Sequence, residues 1–331
     1  MADVAQTAAA HRGQFLAQVV ANRPLCRDHY LLTLQLAWFP PTHPGQFVQV
    51  ACDGVSGEAS AVEVDWPEGS LPRLSGQEIR KAVPLIRRPF SLAGRRDTAR
   101  GVELDIIHRV VGIGTAWLAQ RSCGDEVNLL GPLGNHFVPP PDGGIAVLVG
   151  GGVGIPPMIY LASRLAGTRA VVFSGATTRD LLPLTLTADA PVPTSASVEP
   201  LYNVDEFARH GIPAVISTDD GSYGFGGLIT DALALYLDRY FADAPARQRV
   251  TIYTCGPEAM MKRVVEMAGQ RGMESQVSVE RAMACGMGTC QSCCIRVRKP
   301  DAAQPPLAGS DWCYRLACTD GPVFRGADLL W

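Results

Sequence analysis

Two hydrophobic periods divide the chain. From Gly13 to residue 142, short apolar runs rich in Val, Leu and Thr are separated by turn residues, a pattern typical of β-strands. From residue 143 to 272, apolar runs of strand length alternate with stretches of helical period. Residues 273–331 contain six of the ten cysteines. We therefore expect three domains, 13–142, 143–272 and 273–331, after an N-terminal tail of residues 1–12.

The first domain is predicted to be a small antiparallel β-barrel, because many short strands accompany one short helix. That helix opens at Val111–Thr115 and continues through Leu118. Residues 51–84 contain Gly and Pro without any period and are expected to form a long surface loop or insertion. The predicted strands are Gln18–Ala21, Tyr30–Leu36, Gln46–Val50, Val102–Arg109 and Asp125–Leu130.

The second domain is predicted to be a doubly wound parallel sheet, because its strands and helices alternate. Ligands of such sheets bind at the carboxyl ends of the strands. The predicted strands are Gly144–Gly150, Ala170–Ser174, Ala214–Thr218 and Arg249–Thr254. The predicted helices run to about Leu165 after a glycine loop, from Leu228 to Tyr240, and from Ala259 to Gln270.

Composition narrows the class of protein. Of 331 residues, 47% are hydrophobic and 18% are charged, an ordinary globular balance. A net charge of -3 supplies no electrostatic argument for binding nucleic acid or an anionic membrane. Residues 1–12 lack the apolar core of a signal peptide, and no stretch approaches the ~18 apolar residues of a membrane span. We expect a cytoplasmic protein with no membrane association.

The cysteines near the C-terminus follow the spacing C-x4-C-x2-C at Cys285, Cys290 and Cys293, with Cys318 further on. This is the plant-type ligand spacing for a [2Fe–2S] cluster. Glycines between the first two cysteines suit a loop that turns tightly around a cluster. A structural zinc site normally uses two C-x2-C pairs, and only one is present. Disulfides are not expected without a secretory signal. The spacing therefore favours the cluster.

Four ligands must come from six local cysteines. We predict Cys285, Cys290 and Cys293 from their spacing, and Cys318 because it precedes a Thr-Asp-Gly-Pro turn. Cys294 and Cys313 are expected to be small buried hydrophobic residues, and that list completes the six.

Polar residues of the first domain favour a ligand with a phosphate group. Arg88 and Ser91 lie in one segment, and Gly114-Thr115 opens a helix with free N–H groups. A guanidinium suits a pyrophosphate. The strand end Ile107–Arg109 could present backbone groups to a flat heterocycle. Each feature is weak alone, because strand polar residues and helix N-caps are common.

Three loops follow strands of the second domain. The first contains Gly151, Gly152 and Gly154, and a glycine loop between strand and helix lets a dinucleotide approach the backbone. It is not G-x-G-x-x-G, and glycines there could also serve packing. The second loop is Cys255-Gly256-Pro257. The third holds Asp219 and Asp220, which would accept ribose hydroxyls and repel a 2′-phosphate, although both could be solvated turn residues.

The order of barrel, dinucleotide sheet and cysteine loop resembles the ferredoxin-reductase-like flavoproteins from about residue 13 to the end. Within them it is most similar to the electron-transfer subunits of NAD-dependent dihydroorotate dehydrogenases. The stretch at 51–84 and the 24 residues between Cys293 and Cys318 are longer than the family pattern. The matching motifs are Pro44-Gly-Gln-Phe, Arg88-Pro-Phe-Ser, Val111-Gly-Ile-Gly-Thr, Gly131-Pro-Leu-Gly-Asn, the Gly150 loop, Thr218-Asp-Asp-Gly-Ser-Tyr-Gly, Cys255-Gly-Pro, Glu280-Arg-Ala-Met-Ala-Cys and Cys318-Thr-Asp-Gly-Pro-Val-Phe.

The resemblance implies three cofactors: FAD in the barrel, NAD on the sheet with its nicotinamide near Cys255, and the cluster beyond the flavin. It also implies an FMN-containing catalytic subunit as partner in a hetero-oligomer, with electrons passing from dihydroorotate to NAD+ in pyrimidine biosynthesis. Two other functions stay open: an NAD(P)H-dependent reductase for an oxygenase, hydrogenase or ferredoxin, and a zinc-stabilised binding module. The residues implied for FAD are Arg88, Pro89, Phe90, Ser91, Ile107, His108, Arg109, Gly114 and Thr115.

Overall fold

The computed structural model describes residues 12–52, 86–188, 191–299 and 311–331. The expected insertion at 51–84 therefore lies, apart from its first two residues, outside the described residues. The first domain contains β1 (Gly13–Cys26), β2 (His29–Leu36), β3 (Phe47–Val50), β4 (Arg88–Ser91), β5 (Gly94–Thr98), β6 (Gly101–Arg109), α1 (Ile113–Ala119) and β7 (Glu126–Leu133).

These seven strands form one antiparallel sheet in the order β4-β3-β7-β1-β2-β6-β5. Strand twist curls the sheet until β4 meets β6, where the rings of Phe90 and His108 lie 6.0 Å apart. No ladder pairs β4 with β5 in the described part of the chain, so hydrogen bonds do not close the predicted barrel. Apolar residues of alternating strand positions fill the curl, among them Leu32, Leu104 and Leu129.

The second domain begins with β8 (Ile145–Gly151), whose seven residues are all buried, as expected for a strand covered on both faces. A single 3-10 turn, Gly152–Gly154, connects it to the first helix. The elements that follow are α2 (Ile155–Arg164), β9 (Arg169–Ala176), α3 (Asp205–Ala208), β10 (Ala214–Thr218), β11 (Phe225–Gly226), α4 (Ile229–Tyr240), α5 (Ala244–Arg247), β12 (Val250–Cys255), α6 (Glu258–Gln270) and β13 (Glu274–Ser278).

Helices pack on both faces of this sheet, which confirms the doubly wound prediction. Ile155 and Met158 of α2 belong to the apolar core on one face. Leu233 of α4 and Val264 of α6 belong to the core on the other. Because β8, β9, β10 and β12 run parallel to one another, their carboxyl ends lie at the same edge of the sheet.

The C-terminal region adds β14 (Cys294–Arg298), β15 (Trp312–Leu316), β16 (Val323–Arg325) and β17 (Leu329–Leu330). A small sheet has the order β15-β14-β17. The large sheet has the order β11-β10-β9-β8-β12-β13-β16, in which only β16 is antiparallel to its neighbour. Residues predicted as a separate domain, 273–331, therefore contribute two strands to the second sheet. The division at 272 stays a prediction.

Strand β3 lies between the core of the first domain and the core of the C-terminal domain. Val48 and Val50 point into the core of the curled sheet. Phe47, on the opposite face, packs in a core that also contains Cys293 and Cys318. The period of two along a strand thus sends alternate β3 residues to two different domains. In the described ranges no helix is long and apolar enough to cross a membrane.

Candidate functional site

The predicted flavin residues come together where β4, the end of β6 and the start of α1 meet. A Cβ added to Gly114 would lie 3.3 Å from Cγ of Arg88, so strand and helix are in contact. The Thr115 hydroxyl accepts hydrogen bonds from the amides of Val111 and Gly112, at 2.9 and 3.1 Å. Those two N–H groups, which precede the helix, are therefore engaged by the helix's own side chain. The helix has no side-chain cap, which leaves the first-turn amides of Ile113 and Gly114 for a ligand.

His108 lies in an aromatic pocket beside β4. Its ring stacks on Tyr30 at 5.8 Å and meets Phe90 edge-on. Only 2% of His108 is exposed, and burial lowers the pKa of its imidazole to about 4, with a smaller effect from His29. The ring is therefore neutral at physiological pH.

Neither ring nitrogen of His108 has a hydrogen-bond partner in the part of the chain that the structure describes. Nε of Arg109 is likewise buried and unpaired. Buried polar atoms are normally hydrogen-bonded, and those left over need an explanation. A flat heterocycle with ring nitrogens and carbonyl oxygens would supply partners here. The residues present therefore fit a flavin.

At the second sheet, the glycine loop and the Cys255 loop pack directly against each other. Gly150 pairs with Cys255 on β12 and with Ser174 on β9. A Cβ added to Gly154 would lie 2.1 Å from the carbonyl oxygen of Cys255. A Cβ added to Gly151 would lie 2.7 Å from the Met260 sulfur. Packing thus requires glycine at 154, where the added atom would meet backbone, and leaves little room at 151, where the Met260 side chain would have to move.

Gly152 differs from its neighbours in the loop. Its φ is +52°, and a Cβ added there would meet no atom within 4 Å. Nearby, the buried hydroxyl of Ser174 has no hydrogen-bond partner among the described residues. Open space at a left-handed glycine, beside the ends of parallel strands, fits the approach of a dinucleotide to the backbone. Of the three predicted loop glycines, Gly152 is the one that packing leaves free.

Cys255 ends β12 and is almost fully buried. Burial raises the pKa of its thiol to about 12, while a hydrogen bond with Ser278 acts in the opposite direction. The thiol is therefore neutral, and it would act as a small contact surface rather than as a nucleophile. Gly256, with φ of +147°, lets the chain turn into Pro257 and α6. Ser278, on the neighbouring strand β13, was not predicted.

In the loop after β10, the two adjacent aspartates Asp219 and Asp220 have different surroundings. Asp220 accepts hydrogen bonds from the Ser222 amide at 3.0 Å and hydroxyl at 2.6 Å, which lower the pKa of its carboxyl. Asp220 is therefore engaged in its own turn. Partial burial and the charge of Asp220 raise the pKa of Asp219. Arg179 lies at the same edge, with its guanidinium 5.5 Å from the Tyr223 ring centroid.

The cysteine loop wraps around the sulfur of Cys285. Gly286 and Gly288 have φ of +70° and +86°, conformations that favour glycine. The amides of Met287 and Cys290 both donate to Sγ of Cys285, each at 3.4 Å. Ser292 hydrogen-bonds Cys290 Sγ at 3.2 Å and is the main reason that its pKa is lowered to about 6. Hydrogen-bond donors directed at sulfur stabilise the thiolate form of cysteine, and this is the form that binds iron.

The fourth predicted ligand lies beside the third. Cys293 and Cys318 are both buried in the C-terminal core. Burial, together with the neighbouring Cys293 and Cys285, raises the pKa of the Cys318 thiol to about 11. By contrast, Cys313 lies within β15 opposite Val297, and Cys294 begins β14. This arrangement supports Cys318 over Cys313.

In the described ranges, no three His, Cys, Asp or Glu side chains converge on a single point to hold one metal ion. A tetrahedral zinc site normally takes four protein ligands around one ion. A [2Fe–2S] cluster distributes its four cysteines over two irons, so no three sulfurs need to converge. The C-x4-C-x2-C spacing of Cys285, Cys290 and Cys293, with Cys318 packed in the same core as Cys293, is the ligand pattern of such a cluster.

Comparison with known proteins identifies the family. The iron-sulfur cluster binding domain of dihydroorotate dehydrogenase B matches residues 280–330. The electron transfer subunit of dihydroorotate dehydrogenase B (NAD(+)) from Geobacillus thermodenitrificans is 36% identical over 251 residues, covering 75% of this chain and 82% of the relative. The chain belongs to this family. The subunit of the same name from Geobacillus sp. strain WCH70 is 33% identical and covers 94% of this chain and 96% of its own.

Two solved structures have a fold similar to that of this chain. The structure of an NADH-dependent reduced ferredoxin-NADP oxidoreductase superposes with a TM-score of 0.66 at 25% identity, covering 95% of this chain and 90% of the other. A cytochrome P450 reductase from Amycolatopsis superposes with a TM-score of 0.54 at 23% identity over 81% and 68% of the chains. The second likeness concerns the fold alone, whereas the first, with the matched iron-sulfur domain, confirms the predicted ferredoxin-reductase-like architecture.

Proposed function

We propose that the chain is the electron-transfer subunit of an NAD-linked dihydroorotate dehydrogenase, an oxidoreductase of pyrimidine biosynthesis. It relays electrons between a partner that oxidises dihydroorotate and NAD+, through a [2Fe–2S] cluster and FAD. The relationship to dihydroorotate dehydrogenase B subunits over most of both chains supports this function. The reductase fold and the cysteine loop supply the sites that such a relay needs.

The three cofactors have complementary chemistry: nicotinamide exchanges two electrons as a hydride, the cluster exchanges one at a time, and a flavin does both. The protein places them. Arg88 and the first turn of α1 would hold the flavin pyrophosphate, and His108 would lie against its ring system. Gly152 would approach the dinucleotide, with Cys255 beside the nicotinamide. Cys285, Cys290, Cys293 and Cys318 would ligate the cluster.

One observation supports the relay most directly. The β3 strand pairs along one edge with β4, where the flavin residues lie, and its outer face packs against the cysteine domain. Neighbouring strands are only about 5 Å apart. The proposed flavin and cluster sites are therefore neighbours on opposite sides of one strand, as short-range electron transfer requires.

The substrate site belongs to the proposed partner, an FMN-containing dihydroorotate dehydrogenase subunit in a hetero-oligomer. A cluster that takes electrons from another protein must lie near the surface. The apolar residues of the cysteine domain that are candidates for a surface covered by the partner are Met283, Met287, Ile295, Leu307 and Trp312. Ile295 is buried in the domain's own core and Met283 packs against it. Trp312 is half-buried. Met287 is 56% exposed, and Tyr314 is 64% exposed on the same domain. Leu307 lies outside the described residues. We propose that the partner subunit contacts Met287 and Tyr314 of this chain.

Two experiments test this function. The purified protein should show flavin and iron–sulfur absorption; a colourless protein with stoichiometric zinc would contradict the proposal. Alone, it should pass electrons from NADH to artificial dyes without oxidising dihydroorotate. Adding the FMN-containing subunit should produce NAD+-linked dihydroorotate oxidation. Dihydroorotate turnover by the single chain would refute the division of labour.

The direction of electron flow is a separate question, because the ferredoxin-NADP oxidoreductase neighbour is named for reductase activity. The reductase alternative predicts that NADH reduces a small acceptor protein and that the dihydroorotate-oxidising subunit has no effect. We also propose the cytoplasm as the compartment. No disulfide joins the cysteines of the described residues, which suits a reducing environment.

A further inference from the structure

A glutamine occupies an unusual position on β3. Val48 and Val50 point into the curled sheet, so Gln49 points the other way, towards the cysteine domain. Its side chain is completely buried. Along the sheet, Gln49 is paired with Pro89 of β4 on one side and with Leu130 of β7 on the other. It therefore lies between the proposed flavin strand and the cysteine loop.

The Gln49 amide contacts both neighbours of the first predicted cluster ligand, Cys285. Nε2 of Gln49 donates a hydrogen bond to the carbonyl oxygen of Ala284, at 3.4 Å. A Cβ added to Gly286 would lie 2.7 Å from Cδ of Gln49 and 2.8 Å from its Oε1. Gly286 therefore needs to be glycine both for its positive φ and for this close approach.

Packing alone does not account for a glutamine here. Oε1 of Gln49 is buried and has no hydrogen-bond partner in the described ranges. Its neighbours on the same side of the sheet, Phe47 and Leu133, are apolar members of the C-terminal core. A leucine at position 49 would bury a similar volume without desolvating an amide. Residues that break such a local rule are expected at functional sites.

We propose that Gln49 is a positioning residue for the iron–sulfur cluster. Its amide holds the Ala284–Gly286 segment against β3, which sets the spacing between the cysteine loop and the flavin strand. The same amide places an uncharged dipole beside Cys285, and dipoles and hydrogen bonds near cluster sulfurs tune the reduction potential. This inference depends on the proposed cluster and goes beyond it by assigning a residue outside the cysteine motif.

The test compares Gln49→Leu with Gln35→Leu in the full chain. Gln35 lies on β2, which is separated from β3 by the two strands β7 and β1, and its Oε1 is also buried without a partner among the described residues. Both variants remove from the same sheet an amide whose oxygen has no partner in the described part of the chain, but only Gln49 touches the cysteine loop, whereas Nε2 of Gln35 donates to backbone carbonyls of its own sheet region. Three quantities are measured for each: iron and acid-labile sulfide per chain, the paramagnetic signal of the reduced cluster, and its midpoint potential.

We expect Gln49→Leu to retain FAD and to change the paramagnetic signal. We also expect it to shift the cluster midpoint by at least ~59 mV, which corresponds to a tenfold change in the reduced-to-oxidised ratio for one electron. Loss of iron with FAD retained would equally support the proposal. Gln35→Leu should match the wild type. An unchanged signal and potential in Gln49→Leu would overturn the role of Gln49 and leave the proposed function intact.

A second variant covers the case in which Gln49→Leu does not fold. Gln49→Glu keeps the size of the side chain but replaces the Nε2 donor with an acceptor that would repel the Ala284 carbonyl. A shifted potential in this variant supports the proposal, and an unchanged one overturns it. If the wild type itself contains no iron, the proposed function fails rather than the assignment of Gln49.

Discussion

Substituting Gly154 by alanine tests whether the contact between the glycine loop and the Cys255 loop matters for NAD. The new Cβ would lie 2.1 Å from the carbonyl oxygen of Cys255 and 2.5 Å from the amide nitrogen of Gly256. Both are backbone atoms at the end of a central strand, so no side-chain rotation relieves the clash. The Cys255 loop itself must move.

The size of the displacement follows from those distances. Ordinary carbon contacts begin at 3.4 Å, so the Cys255 carbonyl must retreat by ~1.3 Å from its present 2.1 Å. Overpacking of this kind costs about 1–3 kcal/mol of folding stability. A misplacement of ~1 Å within a site costs on the order of 10²-fold in rate. We therefore expect kcat/KM for NADH to fall about 100-fold.

The assay is steady-state reduction of a dye by NADH, with FAD and iron content measured in parallel. Gly167→Ala is the matched control. Gly167 lies in a loop and has a φ of +82°, whereas the φ of Gly154 is −85°, and a Cβ added to Gly167 meets no atom within 4 Å. It precedes β9 at the opposite end of the sheet and should cost only the ~1–2 kcal/mol of a left-handed alanine. Equal NADH kinetics in the two variants, at equal loss of stability, would refute the reasoning.

Three further predictions concern the other sites. Cys318→Ser should lower iron content or alter the paramagnetic signal, whereas Cys313→Ser should not; the reverse pattern would make Cys313 the fourth ligand. The specificity constant of the wild type should be higher for NADH than for NADPH, and equal constants would contradict this prediction. Asp219→Asn should reduce the preference about tenfold, a ~1.4 kcal/mol effect, because it removes a charge that repels a 2′-phosphate. For His108, the pKa is lowered from 6.5 to about 4 in the fold, so between these pH values the unfolded chain binds a proton that the folded chain does not. Stability should fall as pH drops from 6.5 to 4, by on the order of 3 kcal/mol from this group, and urea unfolding of apo His108→Phe should show a correspondingly smaller pH dependence; identical pH dependences would exclude His108 as the source.

The local elements of this chain were predictable from residue order. Helices α4 and α6 begin within one residue of their predicted starts, Leu228 and Ala259, because amphipathic period and turn residues act within a few positions. The tight turns at Gly286 and Gly288 were expected from the spacing of the cysteines around them. Ligand spacing is a local property as well, since a cluster loop must enclose its metal with neighbouring residues.

Pairing between distant segments depended on the tertiary structure. Strand β16 joins the large sheet at β13, and the first sheet curls without closing, because register and edge partners are determined by packing across long sequence separations. Gln49 is one polar residue in an apolar strand, and its contact with Gly286 spans more than two hundred residues. No local sequence pattern predicts such a contact, because it forms only when β3 packs between the cores of two domains.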